Sequence, residues 1–321
     1  MVAAKDIGER PLVVAIGGGA ISIMDQMGDG KSYDRMWIDT DRRSKERNPA
    51  IGGMLLGNPL LSGEGCGGNM NLGRAVFREG MGPILERISN NRPIVILAAP
   101  GGGTGVAGAV EISTALKADN RSHFNLLLGH GVGGGGGMDP AALADLLLSG
   151  PLFPGAYMEG RGPDMVGSGL SEGDMASVVQ DIAAASSPIW ENRMEMDALS
   201  ELSSGTPLSL IYLRSDPEKG GNDLSLSAFP GKVVCALGFP EGTSEKIVLS
   251  YIDRLRSVLD ICSLGVHFEC AGDNADVVIL GSQGERALPR GSEKRHIMAD
   301  GPGFRMPDEG SLDPDITADI L

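Results

Sequence analysis

Glycine constrains this chain more than any other residue type: 49 of its 321 residues are Gly, and they bunch around residues 17–19, 63–68, 101–108 and 131–137. Glycine reaches positive φ and lets backbone amides approach a ligand closely, so several such clusters in one domain predict a phosphate-binding mouth rather than flexible linkers. Position separates the two readings, because three of the clusters fall where an apolar strand gives way to a helix. The run 11–16, Pro-Leu-Val-Val-Ala-Ile, meets Gly17-Gly18-Gly19 and then a helical pattern over 21–27. Segments 36–38, 93–99 and 124–128 read as further strands, and 93–99 is apolar enough to be covered on both faces. Helical spacing over 73–88 and 105–116 completes a β-α-β-α order, which predicts an α/β fold with a doubly wound parallel sheet.

The remainder of the chain reads differently. Met175, Val178, Val179 and Ile182 keep helical spacing over 172–187, and Pro188 ends the pattern, so this segment is taken as a central connecting helix. Beyond it come strands at 208–213 and 232–239, an amphipathic helix at 244–262, and paired strands at 266–270 and 276–281, together a smaller α+β domain. After Gly284 the chain turns polar and acidic, which predicts a disordered tail. Its end, Ile316 and Ile320-Leu321 among acids, could dock on a partner protein or simply fray. The expected organisation is therefore 1–171, 172–191 as the connecting helix, 192–284, and 285–321 as tail.

Acidic residues outnumber basic ones by 42 − 27 = 15, so the overall field repels a phosphodiester backbone and argues against nucleic-acid binding. The one basic run, Arg42, Arg43, Lys45 and Arg47, is broken by Glu46 and reads as a solvated face. No apolar run approaches the ~18 residues of a membrane span, and the amino terminus has no leader pattern. Cys66, Cys235, Cys262 and Cys270 are scattered, and His123, His130, His267 and His296 show no ligand-like spacing. A soluble, cytoplasmic protein with free thiols and without membrane insertion is expected.

The segment Ala99-Pro100-Gly101-Gly102-Gly103-Thr104-Gly105 follows a buried strand and opens a helix, which aims unpaired amides and the positive helix end at one point. This loop resembles the phosphate signature G-G-G-T-G of the tubulin/FtsZ family. The resemblance extends to three other loops in order. Residues 13–27, with Gly17, Gly18, Gly19 and Ser22, match the family's first loop; Ile38-Asp39-Thr40-Asp41 resembles its second; Gly65-Cys66-Gly67-Gly68-Asn69 followed by Gly73-Arg74 resembles its third. The resemblance implies a Rossmann-like GTP-binding domain, with GTP or GDP as ligand and Mg²⁺ bridging the phosphates. The first and fourth loops would hold the α- and β-phosphates, and Cys66, Gly67 and Gly68 would face the γ-phosphate. Glu172 falls where the family reads guanine, and equally where any helix takes an acid. Asp139, after Gly133 to Gly137, stands in place of the family's ribose loop. No metal ligands are assigned.

In that family a neighbouring subunit completes the active site with a loop of form N-x-D-x-x-D. Residues 188–197, Pro-Ile-Trp-Glu-Asn-Arg-Met-Glu-Met-Asp, are similar to that segment and keep Asn192 and Asp197, but Met194 replaces the first Asp. A thioether takes no proton, so the role would pass to Glu195 or Asp197 or be lost. The resemblance thus implies a filament-forming cytoskeletal GTPase of cell division or cell shape, assembling head to tail and hydrolysing slowly. Two alternatives stand beside it: a GTP-binding scaffold without hydrolysis, and a dinucleotide-dependent oxidoreductase suggested by Ile16-Gly17-Gly18-Gly19 after the first strand.

Overall fold

A computed structural model describes residues 9–47, 50–57, 61–88, 92–100, 103–129, 153–158, 170–203, 208–222, 231–270 and 272–282. The tail expected at 285–321 lies outside them. Among the described residues, β1 (Leu12–Ile16), β2 (Asp34–Asp39), β3 (Gly53–Leu55), β4 (Ile94–Ala98), β5 (His123–Leu128) and β6 (Gly155–Met158) pair in parallel. They continue through Ala156 and Leu208 into β7 (Leu208–Ser215), β8 (Lys232–Gly238), β9 (Asp260–His267) and β10 (Ala275–Ser282). The sheet order is β3-β2-β1-β4-β5-β6-β7-β10-β8-β9.

Alternation along the strands sorts the core into layers. Val13, Ala15, Val95 and Leu97 point to one face, against α1 (Gly17–Met24) and α5 (Glu172–Ala185). Leu12, Val14, Ile16, Ile94 and Ile96 point to the other, against α3 (Met70–Arg87) and α4 (Gly105–Ala118). A short helix, α2 (Arg42–Arg47), follows β2. Helix α5 opens with a full capping box between Ser171 and Asp174 and buries Val178, Val179 and Ile182 in a layer that also holds Val234, Ala236, Val278 and Leu280, so it covers strands of both halves of the sheet. Helix α6 (Met196–Leu202) extends that layer. Helix α7 (Glu245–Arg256) covers the opposite face of β8 and β10 through Val248, Tyr251, Ile252 and Leu255.

Three expectations for the second half need correction. The helix read over 244–262 stops at Arg256, and Asp260 already begins β9, where Ile261 and Cys262 continue the apolar pattern at a strand's period. The connecting helix read to 191 ends at Ala185. The strands expected to pair as a hairpin do not: β10 inserts between β7 and β8, antiparallel to both, while β9 takes the edge beside β8. The physical reason is burial. Strand β10 is apolar on both faces, with Val277 and Ile279 in one layer and Val278 and Leu280 in the other, and only a central position covers both. Strand β9 carries the exposed Asp260 and Cys262 and tolerates an edge. Strands β3 and β6 are too short to stand out in the sequence.

Candidate functional site

A cleft of about 370 Å³ opens at the carboxyl ends of β1, β2 and β4, where α/β sheets hold their ligands. Four loops meet there. The first gives Gly17, Gly18 and Gly19, the second Asp39 and Asp41, the third Glu64 to Gly68, and the fourth Ala99, Pro100, Gly103, Thr104 and Gly105. Gly17 needs its glycine twice over, since φ is +78° and the backbone nitrogen of Gly105 would stand 3.3 Å from an added Cβ. Gly67 and Gly68 hold φ of +56° and +81° with open space beside them, so the conformation rather than crowding demands glycine. Helices α1 and α4 both begin at the cleft, turning two positive helix ends and their free amides into it.

Side chains tie the loops together beneath this mouth. The Thr40 and Thr104 hydroxyls are 2.7 Å apart, and Thr40 Oγ1 lies 3.5 Å from Cys66 Sγ, which joins the second, third and fourth loops in one buried chain. Asn69 caps α3 by accepting from Leu72 N at 3.0 Å. An added Cβ on Gly73 would lie 2.2 Å from the Gly103 carbonyl, so the third and fourth loops touch through backbone. Arg74 Nε is 2.5 Å and Arg78 Nε 3.0 Å from the buried Glu111 carboxylate on α4, locking α3 to α4. Asp39 accepts from Thr40 N at 2.7 Å and Ser44 Oγ at 2.5 Å; burial pushes its carboxyl pKa up against those bonds. Arg43 is engaged with Asp41, its Nε 2.8 Å from Oδ2.

Three carboxylates, Asp39, Asp41 and Glu64, also line the cleft, and Arg43 already neutralises one of them, Asp41. The three do not bring their oxygens close enough to share one ion among the described residues, so no metal ligands are assigned in this cleft. Sequence reasoning placed Asp41 and Gly65 in the second and third loops without singling them out as lining residues, and it missed Glu64 and Ser44. Arg43, read as part of a solvated face, is exposed but also borders the cleft.

The other expected residues fall elsewhere. Ser22 is exposed on α1, and Glu172, in the first turn of α5, accepts from Gln26 Nε2 at 2.7 Å. Gly101, Gly102 and Asp139 lie outside the described residues. Asn192, Glu195 and Asp197 gather at the opposite end of the sheet. Glu195 and Asp197 line a second cleft of about 350 Å³ with Arg92, Pro93, Arg121 and Ser122. Asn192 stands beside it, its carbonyl accepting from Val266 N at 2.8 Å. Ser122 Oγ donates to the Asp197 carboxylate, and Glu195 N donates to Ser263 Oγ at 2.9 Å. Met194 is 1% exposed, with its backbone on Ala185 and its side chain in the layer beneath α5.

Strand β4 leads from Pro93 at this second cleft to Ala99 at the first, six steps of ~3.3 Å or about 20 Å. Helix α4 gives the same separation, 14 residues at ~1.5 Å each. One chain therefore cannot bring Asp197 to its own glycine cleft.

A glycine-loop α/β sheet with its mouth at the strand carboxyl ends and a helix spanning both halves defines a tubulin-like class of fold. No protein-family model matches the chain. Over 107 residues, 33% of this chain, it is 31% identical to the cell division protein FtsZ of Neisseria gonorrhoeae, and it spans 27% of that relative's length. Its fold is similar to that of an FtsZ dimer from M. jannaschii, with a TM-score of 0.67 at 14% identity, covering 91% of this chain and 96% of the other. It is also similar to CetZ2 from Haloferax volcanii, described as a GTPgS-bound protofilament, with a TM-score of 0.60 at 18% identity over 86% and 94% of the two chains. Over that third of its sequence, and in fold over most of its length, the chain is similar to members of the tubulin/FtsZ superfamily. No helix among the described residues is long and apolar enough to cross a membrane.

Proposed function

We propose that the chain binds GTP with Mg²⁺ in the glycine cleft, assembles head to tail into cytoplasmic filaments that serve cell division or cell shape, and hydrolyses GTP slowly to GDP and phosphate where two subunits meet. The observation that carries this reading is the convergence of four loops and two helix amino ends on one cleft. Gly17 to Gly19 and Gly103 to Gly105 would hold the α- and β-phosphates through backbone amides, and Cys66, Gly67 and Gly68 would face the γ-phosphate. Mg²⁺, bridging the phosphates when bound, would neutralise their charge. Glu172, steadied by Gln26, would accept hydrogen bonds from guanine.

The separation of about 20 Å supports a composite active site. In a head-to-tail pair, Asp197 of one subunit would take the proton of the water that attacks the γ-phosphorus of GTP held by the next, while Asn192 and Glu195 orient that water. Specific activity should therefore rise with protein concentration. Asp197→Asn, which keeps an acceptor for Ser122, should slow turnover ~100-fold while leaving GTP affinity unchanged. Turnover that is independent of concentration and indifferent to this substitution would defeat the composite site. The second reading, a GTP-binding scaffold without hydrolysis, is favoured by Met194, whose side chain is buried where the resemblance expects the first catalytic carboxylate. Filaments that form with GTP but release no phosphate would select it.

A further inference from the structure

Away from both clefts, three potential metal ligands from different elements meet under α5. Asp181 lies on α5, His267 ends β9, and Cys270 follows it; one donor atom from each lies within 4.8 Å of the other two. We propose that Asp181, His267 and Cys270 form a site for zinc or a similarly thiophilic divalent ion.

Four observations support this. His267 Nε2 is 3.0 Å and Cys270 Sγ 4.0 Å from the same oxygen, Asp181 Oδ1. Bond lengths of ~2.0–2.3 Å to a tetrahedral zinc give donor-to-donor edges of about 3.3–3.6 Å, so the two spacings to Asp181 Oδ1 need shifts of about half an ångström or less, and the third lies within 4.8 Å. The second Asp181 oxygen, Oδ2, is buried with no hydrogen-bond partner, an anomaly for a carboxylate 2% exposed and one that a cation would remove. Gly238, at the end of β8, leaves the space clear: an added Cβ would stand 2.4 Å from Cys270 Sγ and 2.8 Å from His267 Nε2.

The fourth observation is access. Cys270 also borders a cleft of about 490 Å³ lined by the 28–31 loop, Trp190 and Phe268, which gives an ion a way in from solvent. Asp276 accepts from the Cys270 thiol at 3.5 Å and from Arg214 Nε at 3.1 Å; the bond to sulfur is lost when the thiol gives up its proton, and Asp276 keeps Arg214 as its counter-charge. On binding, the Cys270 S–H proton leaves to solvent and the His267 proton moves from Nε2 to Nδ1, giving up the 3.3 Å bond that Nδ1 accepts from Glu269 N; the thiolate, His267 Nε2 and one Asp181 oxygen then coordinate the ion, with water in the fourth position. The ion would tie α5 to β9, and through Glu269, which accepts from Ser32 Oγ at 2.6 Å and Lys31 N at 3.2 Å, to the loop before β2. Metal binding here does not depend on GTP binding in the glycine cleft.

The full chain, stripped with a chelator and titrated with Co²⁺, should bind one equivalent with a thiolate-to-cobalt charge-transfer band. Zn²⁺ should displace the cobalt and raise the melting temperature. Cys270→Ser and Asp181→Asn should each abolish the band, while Cys262→Ser, which alters an exposed thiol elsewhere, should keep it. In the unaltered chain, Zn²⁺ should protect Cys270 but not Cys262 from alkylation read by mass spectrometry. No charge-transfer band in the unaltered chain, a band that survives in Cys270→Ser, or Cys270 alkylation unaffected by zinc would each overturn the site.

Discussion

The two ends of the parallel sheet are built from different materials. At the carboxyl end the surface is mainly backbone, made of glycine amides, positive φ angles and the first turns of α1 and α4. At the amino end it is mainly side chain, with Asp197 and Glu195 from the start of α6 and Arg92 and Arg121 from the residues just before β4 and β5. Backbone amides bind an anion of any sequence context but tolerate almost no added atoms. Side-chain carboxylates tolerate change of neighbours, but only where their own positions stay wet. The contrast predicts opposite responses to substitution at the two ends.

The largest response is expected at Met194. Restoring a carboxylate by Met194→Asp would place it in the core beneath α5, not beside water, because Gly265 packs against Met194 so closely that an added Cβ would meet its Cβ at 2.7 Å. A loss of about 4 kcal/mol in unfolding free energy is expected from the buried charge and the lost apolar contact. Denaturant titration measures it, and a variant as stable as the parent would erase the distinction between wet and dry positions at this end.

The next concerns acid. His123, beside Ser122, is buried with Nδ1 3.0 Å from the Arg121 carbonyl and Nε2 unpartnered among the described residues; burial pushes its pKa down to about 4. Its folded value lies below the ordinary 6.5, so the unfolded chain takes the proton first. The contribution is intact above pH 6.5 and is lost as pH falls toward 4, amounting to about 3 kcal/mol over that window. Thermal melts from pH 7 to 4.5 should steepen accordingly for the parent and flatten in His123→Gln. Equal slopes would sink the assignment.

The smallest effect tests the carboxyl end alone. Gly18 has no atom within 4 Å of an added Cβ and faces the cleft, so Gly18→Val should leave melting unchanged while lowering GTP affinity about tenfold, or ~1.4 kcal/mol. Gly103→Val is the poorer probe, since its Cβ would strike the Asn69 backbone at 2.7 Å and disturb the fold as well. Unaltered affinity in a folded Gly18→Val would separate this cleft from nucleotide binding.

The same contrast explains what is legible in the sequence. A backbone site is written in glycine at strand ends, and Gly17 to Gly19, Gly67, Gly68 and Gly103 to Gly105 stand out for that reason. The amino-end residues can be aligned, and the alternation of buried Met194 and Met196 with exposed Glu195 and Asp197 marks Met194 as a core position as well. Strand order is non-local, so the central place of β10 shows only in its being apolar at every residue from Val277 to Leu280. The His267-x-x-Cys270 spacing carries no signal alone because its third partner, Asp181, lies on another element.

Two unlike clefts, facing away from each other on one sheet, limit how copies of the chain can stack. A contact that seats the amino end of one copy on the carboxyl end of another uses two different patches, so no two-fold axis can satisfy both and the pair always leaves one of each unmet. Addition then has no natural stopping size unless the arc closes into a ring. Any such chain has direction: one terminal member shows an open glycine mouth and the other shows bare carboxylates, and a binding partner able to recognise either surface could tell the two termini apart.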